Sequence, residues 1–337
     1  MINRVVSGKE IKGLAKLLSE SNKIVITCHV SPDGDAVGSS LGLYHLLVDL
    51  GKDVKIVTPD APPQSLKFLN SWNEIVSYAR YTDFGNKLLD SADLIFCLDY
   101  NALYRVDRMS EALRKSSARK VMIDHHLQPE YFCDVTISYP NMSSTCELLF
   151  RVLCELGLYE EISSVSAECI YAGMMTDTGN FSYNSNDPNI YIIISELLKK
   201  GINKDKIYQL AMNTKSADAI RLNGYAVSEK MQIFPESKAA LITLTREELE
   251  KYNYQKGDTE GLVNMPLSDP DVVWSCYMRE EEGYIKISAR SKGHFAVNQI
   301  CELYFGGGGH RNAAGGEFRG TLDEAIVTFK NILAQKE

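Results

Sequence analysis

The sequence predicts an α/β protein: a parallel-sheet N-terminal domain joined by a helical connector to a smaller α+β C-terminal domain. Three observations carry this. Short apolar, β-branched runs alternate with helix-spaced segments through the first half of the chain, the pattern of strands buried on both faces of a sheet. Helical spacing then dominates to about residue 232, and strand-like runs return from Ala239. The length, 337 residues, is that of two domains of ordinary size.

The elements follow in order. Lys23–Thr27 is a short apolar, β-branched run, and residues 37–50 place apolar side chains at helical spacing. Asp53–Thr58 is strand-like, with a turn expected around Pro59, Pro62 and Pro63; Leu94–Leu98 and residues 120–123 read as two more buried strands. Ser144-Thr145-Cys146-Glu147 has the form of a capping box, which would start a helix running to Leu156 before Gly157. Residues 241–244, 272–277 and 284–288 are strand-like, and a glycine tract and an amphipathic helix over 322–334 close the chain. The boundaries expected are 1–190 for the first domain, 191–232 for the connector and 233–337 for the second domain.

Composition narrows the class. Hydrophobic residues make up 45% and charged residues 24%, as in globular rather than disordered chains. No apolar run approaches the roughly 20 residues that cross a bilayer, and the N-terminus has no signal-peptide core. A cytoplasmic location is expected. The eight cysteines form no C-x-x-C pair, so reduced, buried thiols are expected rather than a zinc or disulfide framework. The net charge is −8 with no basic block, which argues against binding long duplexes. It leaves room for a small phosphorylated substrate, because a metal centre supplies positive charge locally.

Three predicted strands run straight into chemistry. The first leads to His29, then Asp33 and Asp35; Leu94–Leu98 leads to Asp99; residues 121–123 lead to Asp124, His125 and His126. A lone aspartate after a strand is ordinarily a turn residue or helix cap. Here three of only six histidines share those strand ends, and ligands of open parallel sheets gather beyond the carboxyl ends of strands. Aspartate oxygens with imidazole nitrogens and no thiolate suit Mn²⁺ or a similar ion. Four aspartates with two histidines would balance two divalent ions, which stabilise the attacking and leaving oxygens of an in-line displacement.

These residues resemble a known family. His29-Val30-Ser31-Pro32-Asp33-Gly34-Asp35-Ala36-Val37-Gly38-Ser39 is similar to the first motif of DHH phosphoesterases, H-x-x-P-D-G-D-A-x-G-S. Leu98-Asp99 resembles the second motif, Asp124-His125-His126 the signature, and Thr176-Asp177-Thr178-Gly179-Asn180-Phe181 the fourth, T-D-T-G-x-F. Gly306-Gly307-Gly308-Gly309-His310-Arg311-Asn312-Ala313-Ala314-Gly315-Gly316 resembles the motif of the DHH-associated domain. The resemblance implies His29, Asp33 and Asp99 around one metal and Asp35, Asp99, His125 and Asp177 around a second, with Asp99 bridging. It implies that His126 faces the phosphate or the nucleophile and that Asp124 orients His125. Two divalent ions are implied, Mn²⁺ first, with Mg²⁺ or Co²⁺ as alternatives. Arg290, Gly306, Gly307, Gly308, Gly309, His310 and Arg311 would grip a phosphate.

Within that family the two-domain size and motif set are most similar to the NrnA group of oligoribonucleases and 3′-phosphoadenosine 5′-phosphate phosphatases. The resemblance implies hydrolysis of short oligoribonucleotides, of 3′-phosphoadenosine 5′-phosphate, or of both, by a two-metal-activated hydroxide. The partner expected is a short RNA or small nucleotide phosphate, with no membrane, and the chain a monomer or homodimer. Other readings share much of the motif set: a cyclic di-AMP or linear dinucleotide phosphodiesterase, an exopolyphosphatase-like phosphohydrolase, and a non-catalytic nucleotide or RNA binder.

Overall fold

The computed structural model describes residues 3–334 in two units, Met1–Thr214 and Lys215–Glu337. In the first, α1 (Gly8–Glu20) precedes β1 (Lys23–Thr27), α2 (Gly34–Asp49), β2 (Asp53–Thr58), β3 (Ile75–Ser77) and α3 (Thr82–Ser91). Then come β4 (Leu94–Leu98), α4 (Ser110–Lys115), β5 (Arg119–Asp124), β6 (Val135–Ser138), and the helices α5 (Thr145–Glu155), α6 (Ser164–Asp177), α7 (Pro188–Lys199) and α8 (Lys204–Met212). The six strands form one sheet in the order β3-β2-β1-β4-β5-β6, and every pairing is parallel. Both faces are covered. Ile24, Ile26, Phe96 and Leu98 enter one apolar core, and Val25, Ile95 and Cys97 enter another, as strand periodicity requires of a doubly covered sheet. The edge strands β3 and β6 are only 3 and 4 residues long, too short for an alternating pattern to show in the sequence.

The chain leaves β1 for β2 on one side and returns to β4 on the other. That reversal makes the β1/β4 carboxyl ends the switch point where such sheets hold ligands. Above it, α2 and α6 pack unusually close. Gly34, Gly38 and Gly42, four residues apart, line one face of α2. A Cβ at Gly38 would stand 2.6 Å from Cys169 O and 2.9 Å from Gly173 N. The Ser166 hydroxyl donates across the gap to Gly42 O at 2.7 Å. The sequence-read start of α5 holds in part. Ser144 caps the Glu147 N–H at 3.0 Å, but the Glu147 carboxylate accepts from Ser143 N and Oγ and from Arg151 instead of closing the capping box.

The second unit contains α9 (Ala217–Tyr225), a π-helical turn over Ala226–Lys230, β7 (Gln232–Phe234), β8 (Ala239–Leu244) and α10 (Arg246–Lys251). β9 (Trp274–Glu281), β10 (Tyr284–Ser291), α11 (Val297–Tyr304), β11 (Gly308–His310), β12 (Ala313–Phe318) and α12 (Leu322–Ala334) complete it. Its sheet runs β11-β12-β10-β9-β8-β7 and is mixed: β8–β9 is parallel and the other pairs antiparallel. The α/β first domain and α+β second domain expected from the sequence are both present. The glycine tract is a hairpin rather than an open loop. A Cβ at Gly307 would lie 1.9 Å from Gly315 O, and one at Gly316 would lie 2.3 Å from Phe305 O, so close backbone approach demands glycine at both. Among the described residues no helix is long and apolar enough to cross a membrane.

Candidate metal centre

Each group at the switch point is placed by the element that carries it. β1 delivers His29, whose Nδ1 lies 2.7 Å from Val30 O. A ring nitrogen against a carbonyl carries the proton, so the other nitrogen, Nε2, presents its lone pair. That atom lies 3.3 Å from Asp99 Oδ2 and 3.7 Å from Asp33 Oδ1. Asp33 also caps α2, accepting from Asp35 N and Ala36 N. Asp35, in the first turn, is buried and takes N–H bonds from Thr145 (2.6 Å) and Cys146 (2.9 Å). The N-terminal amides of α5 therefore hold this carboxylate.

β4 delivers Asp99 in a left-handed backbone conformation, φ +61°, which short polar residues tolerate best after glycine. β5 delivers the triplet. His125 Nδ1 faces Met142 O at 3.2 Å, so its Nε2 looks inward, 3.5 Å from Asp177 Oδ2, 3.6 Å from Asp99 Oδ1 and 3.8 Å from Asp35 Oδ2. Asp177 ends α6. The two oxygens of Asp99 thus face two different imidazoles, and the Thr145 hydroxyl donates to one of them at 2.9 Å. The Asp124 hydrogen bonds fall on His126: Oδ1 is 2.7 Å from its Nδ1 and Oδ2 accepts its N–H at 2.9 Å. On His125 it is the Met142 carbonyl that meets Nδ1, while the charge of Asp124 also bears on the ring.

The electrostatics are those of a cage that wants cations. Burial, then the charges of Asp99 and Asp177, push the Asp35 carboxyl well up. Burial also pushes Asp177 up to about 7 against the pull of His125. Burial works against the His125 imidazolium, yet the surrounding carboxylates, Asp177 foremost, hold it up at about 9. Without cations the pocket keeps protons. The donor sets His29/Asp33/Asp99 and Asp35/His125/Asp177 each converge within 4.8 Å. Their nitrogen–oxygen separations of 3.3–3.8 Å run longer than a good N–H···O bond and suit two donors sharing an ion at about 2.1 Å from each. The residues therefore fit a pair of divalent ions.

Backbone strain concentrates here as well. Of the ten positive-φ non-glycine residues among those described, seven (Ser31, Asp99, Asp107, Gln128, Asn180, Phe181 and Asn184) lie in the segments that follow these strands and α6, the distribution expected of a functional site.

In the second unit the register of the sheet brings predicted residues together. Arg290 pairs with Ala313, and Ala313 with His310, so Arg290 and His310 flank a small side chain in one cross-strand row. The Arg290 guanidinium donates to Ala289 O at 3.0 Å. Arg311 lies in the β11–β12 turn and donates to His294 O at 2.8 Å. Gly306, Gly307, Gly308 and Gly309 lead into or form β11. Sequence reasoning missed Thr145, Cys146 and Met142, whose hydroxyl, amides and carbonyl position the centre; only the helix-start signal at Ser144 hinted at them.

With that geometry in hand, comparison with known proteins is direct. Residues 23–174 match the DHH family N-terminal domain and residues 238–335 the DHHA1 domain. The bifunctional oligoribonuclease and PAP phosphatase NrnA of Thermus thermophilus is 32% identical over 305 residues, 90% of this chain and 86% of that protein. The chain belongs to the DHH family. An exopolyphosphatase-related protein from Bacteroides fragilis, solved by crystallography, is 51% identical with a TM-score of 0.96, covering 99% of this chain and 98% of that one. RecJ of Thermus thermophilus, solved with Mn²⁺, shares the fold at 14% identity and TM-score 0.57, over 99% of this chain and 55% of that one. As a DHH phosphoesterase the chain is a hydrolase of phosphoester bonds.

Proposed function

We propose that this DHH protein hydrolyses short oligoribonucleotides, 3′-phosphoadenosine 5′-phosphate, or both, using two divalent ions, Mn²⁺ foremost and Mg²⁺ or Co²⁺ as alternatives. The observation that carries the metal reading is Asp99: one carboxylate oxygen lies toward His29 and the other toward His125. His29, Asp33 and Asp99 would hold one ion, and Asp35, Asp99, His125 and Asp177 the other. When bound, such a pair polarises a water for attack on phosphorus and neutralises the phosphoryl oxygens. The chain's own residues do the rest. His126, fixed through Nδ1 by Asp124, would face a phosphate oxygen or the attacking water. In the second unit, Arg290, His310, Arg311 and the backbone of Gly306, Gly307, Gly308 and Gly309 form a group suited to binding phosphate.

The substrate class is supported by the NrnA relative and by the charge of the chain. A net charge of −8 with no basic track suits a substrate of a few nucleotides, handled in the cytoplasm, rather than a long duplex. Polyphosphate is the second reading, favoured by the name of the Bacteroides fragilis relative. The test is a substrate panel with purified protein and Mn²⁺: 3′-phosphoadenosine 5′-phosphate, end-labelled RNAs of two to about twenty nucleotides, cyclic di-AMP and polyphosphate. Fastest turnover of the shortest RNAs or of the nucleotide bisphosphate is expected. Hydrolysis of polyphosphate with no nucleotide cleaved would replace the leading reading with the second.

A further inference from the structure

The loops around the metal centre are stapled to one another. Asn101, buried and two residues past Asp99, donates from its side-chain amide to Leu127 O at 2.5 Å and to Gln128 O at 3.4 Å. Its backbone carbonyl accepts from Glu130 N at 2.7 Å. The Glu130 carboxylate in turn accepts from Leu103 N at 3.1 Å. Arg105 O accepts from Val30 N, next to His29, at 2.7 Å. Residues 103–105 are therefore tied at one end to the loop that follows His126 and at the other to the residue after His29.

Two tyrosines ride on these staples. Tyr104 sits between Leu103 and Arg105 and is 74% exposed; Tyr131 follows Glu130 and is 92% exposed. Tyrosine is an amphipathic ring that folded chains mostly cover. Two bare rings on a hydrogen-bonded rim add nothing to the core. They offer flat π surfaces, and base–aromatic stacking is tolerant of sequence because every base has a π face. The backbone is held at positive φ at Asp107, inside the 3-10 helical segment Leu103–Met109 that carries Tyr104, and at Gln128, the kind of strain that persists where a surface is kept in place for binding. Arg105 and Arg108, on the Tyr104 segment, suit an anionic ligand.

We propose that Tyr104 and Tyr131 form the platform on which a nucleobase of the substrate stacks while its phosphate lies at the metal centre. The inference rests on the nucleotide reading above. It makes the enzyme weakly selective among bases and favours nucleotides over base-free phosphates.

The test compares kcat/KM for an RNA dinucleotide with that for its abasic analogue, in the full chain and in Tyr104→Ala, Tyr131→Ala and the two Tyr→Phe variants. Each alanine variant is expected to cut the preference for the base-bearing substrate roughly 5-fold or more, the lower end of the loss of one base–aromatic stack, chiefly through KM. The phenylalanine variants keep the preference, since the ring remains. A variant that merely folds badly lowers both substrates alike and leaves the ratio unchanged; an unchanged ratio in both alanine variants overturns the platform while leaving nucleotide hydrolysis intact. A wild-type enzyme that cleaves polyphosphate and no nucleotide overturns the proposed function and the platform together.

Discussion

Replacing Gly38 with alanine tests how the centre is assembled. Gly38 lies on the α2 face that meets α6, and a Cβ there would stand 2.6 Å from Cys169 O, 2.9 Å from Gly173 N and 3.0 Å from Gly173 Cα. All three are backbone atoms and cannot swing aside, so the helices must separate. Helix propensity alone would favour alanine by about 0.8–1 kcal/mol. Overpacking a buried contact costs about 1–3 kcal/mol, so the net change is destabilising by up to about 2 kcal/mol. The larger effect falls on the metal centre. Asp35 belongs to the first turn of α2 and Asp177 ends α6, and their oxygens reach the same His125 nitrogen at 3.8 and 3.5 Å. Sites of this kind need their groups within about 0.5 Å of place, so Mn²⁺ affinity at that group is expected to fall ~10-fold or more. Urea unfolding with and without Mn²⁺, together with calorimetric Mn²⁺ titration, reads both quantities. Gly42→Ala serves as the milder contrast, because the nearest atom its Cβ would meet is a side-chain atom, Ile170 Cγ1 at 2.7 Å, while the facing backbone, Ser166 O, stands off at 3.4 Å. A Gly38→Ala protein as stable as wild type with undiminished Mn²⁺ affinity, or a Gly42→Ala protein that suffers more, would refute the reasoning.

Two further outcomes follow from the geometry. Asp99→Ala should abolish turnover and weaken both ions together, seen as loss of the two-ion stoichiometry in calorimetry; two ions retained with activity intact would place the shared ligand elsewhere. The pH dependence of the metal-free protein has a definite sign. Asp177 is raised to about 7 from its ordinary value of 3.8, so the folded state binds the extra proton between those values and stability falls as pH rises through them. His125 is raised from 6.5 to about 9, so its contribution is complete below 6.5 and is lost as pH climbs through 9. Both act in one direction, and thermal melts of chelator-treated protein should decline from pH 4 to 9. Mn²⁺ displaces those protons, so proton release on binding at pH 7 and a flattened pH profile are expected; a metal-free protein that stabilises with rising pH over that range would contradict the placement of Asp177.

Much of the centre was legible because parallel-sheet geometry is local in sequence. A β-branched run ending in His29, Asp99 or Asp124 announces both the strand and the edge from which its next residues project. Asp177 was not legible that way. It ends a helix, and residues alone placed it only through a motif resemblance. The physical signal was present in Gly34, Gly38 and Gly42, a stripe of missing side chains that lets α6 approach α2 and carries Asp177 to His125. A stripe of that kind does not name its partner helix. The hydrogen-bond partners were hidden for the same reason. That Asp124 bonds His126, that Met142 O turns His125, and that the α5 amides hold Asp35 depend on where loops close in space. The glycine tract shows the limit from the other side: its composition read as an anion cradle, while Gly307 and Gly316 are fixed by the backbone that crosses them.

By itself, then, the sequence determined the α/β class, the strands that end at the centre and the chemical types of its donors, because burial and periodicity act over a few residues. Which oxygen of Asp99 faces which imidazole, which backbone carbonyl or carboxylate meets Nδ1 of each ring, and which tyrosines stand bare on the rim were decided only by tertiary structure. Those choices belong to contacts between residues that lie tens of positions apart in the chain and meet only once the sheet and its helices have packed.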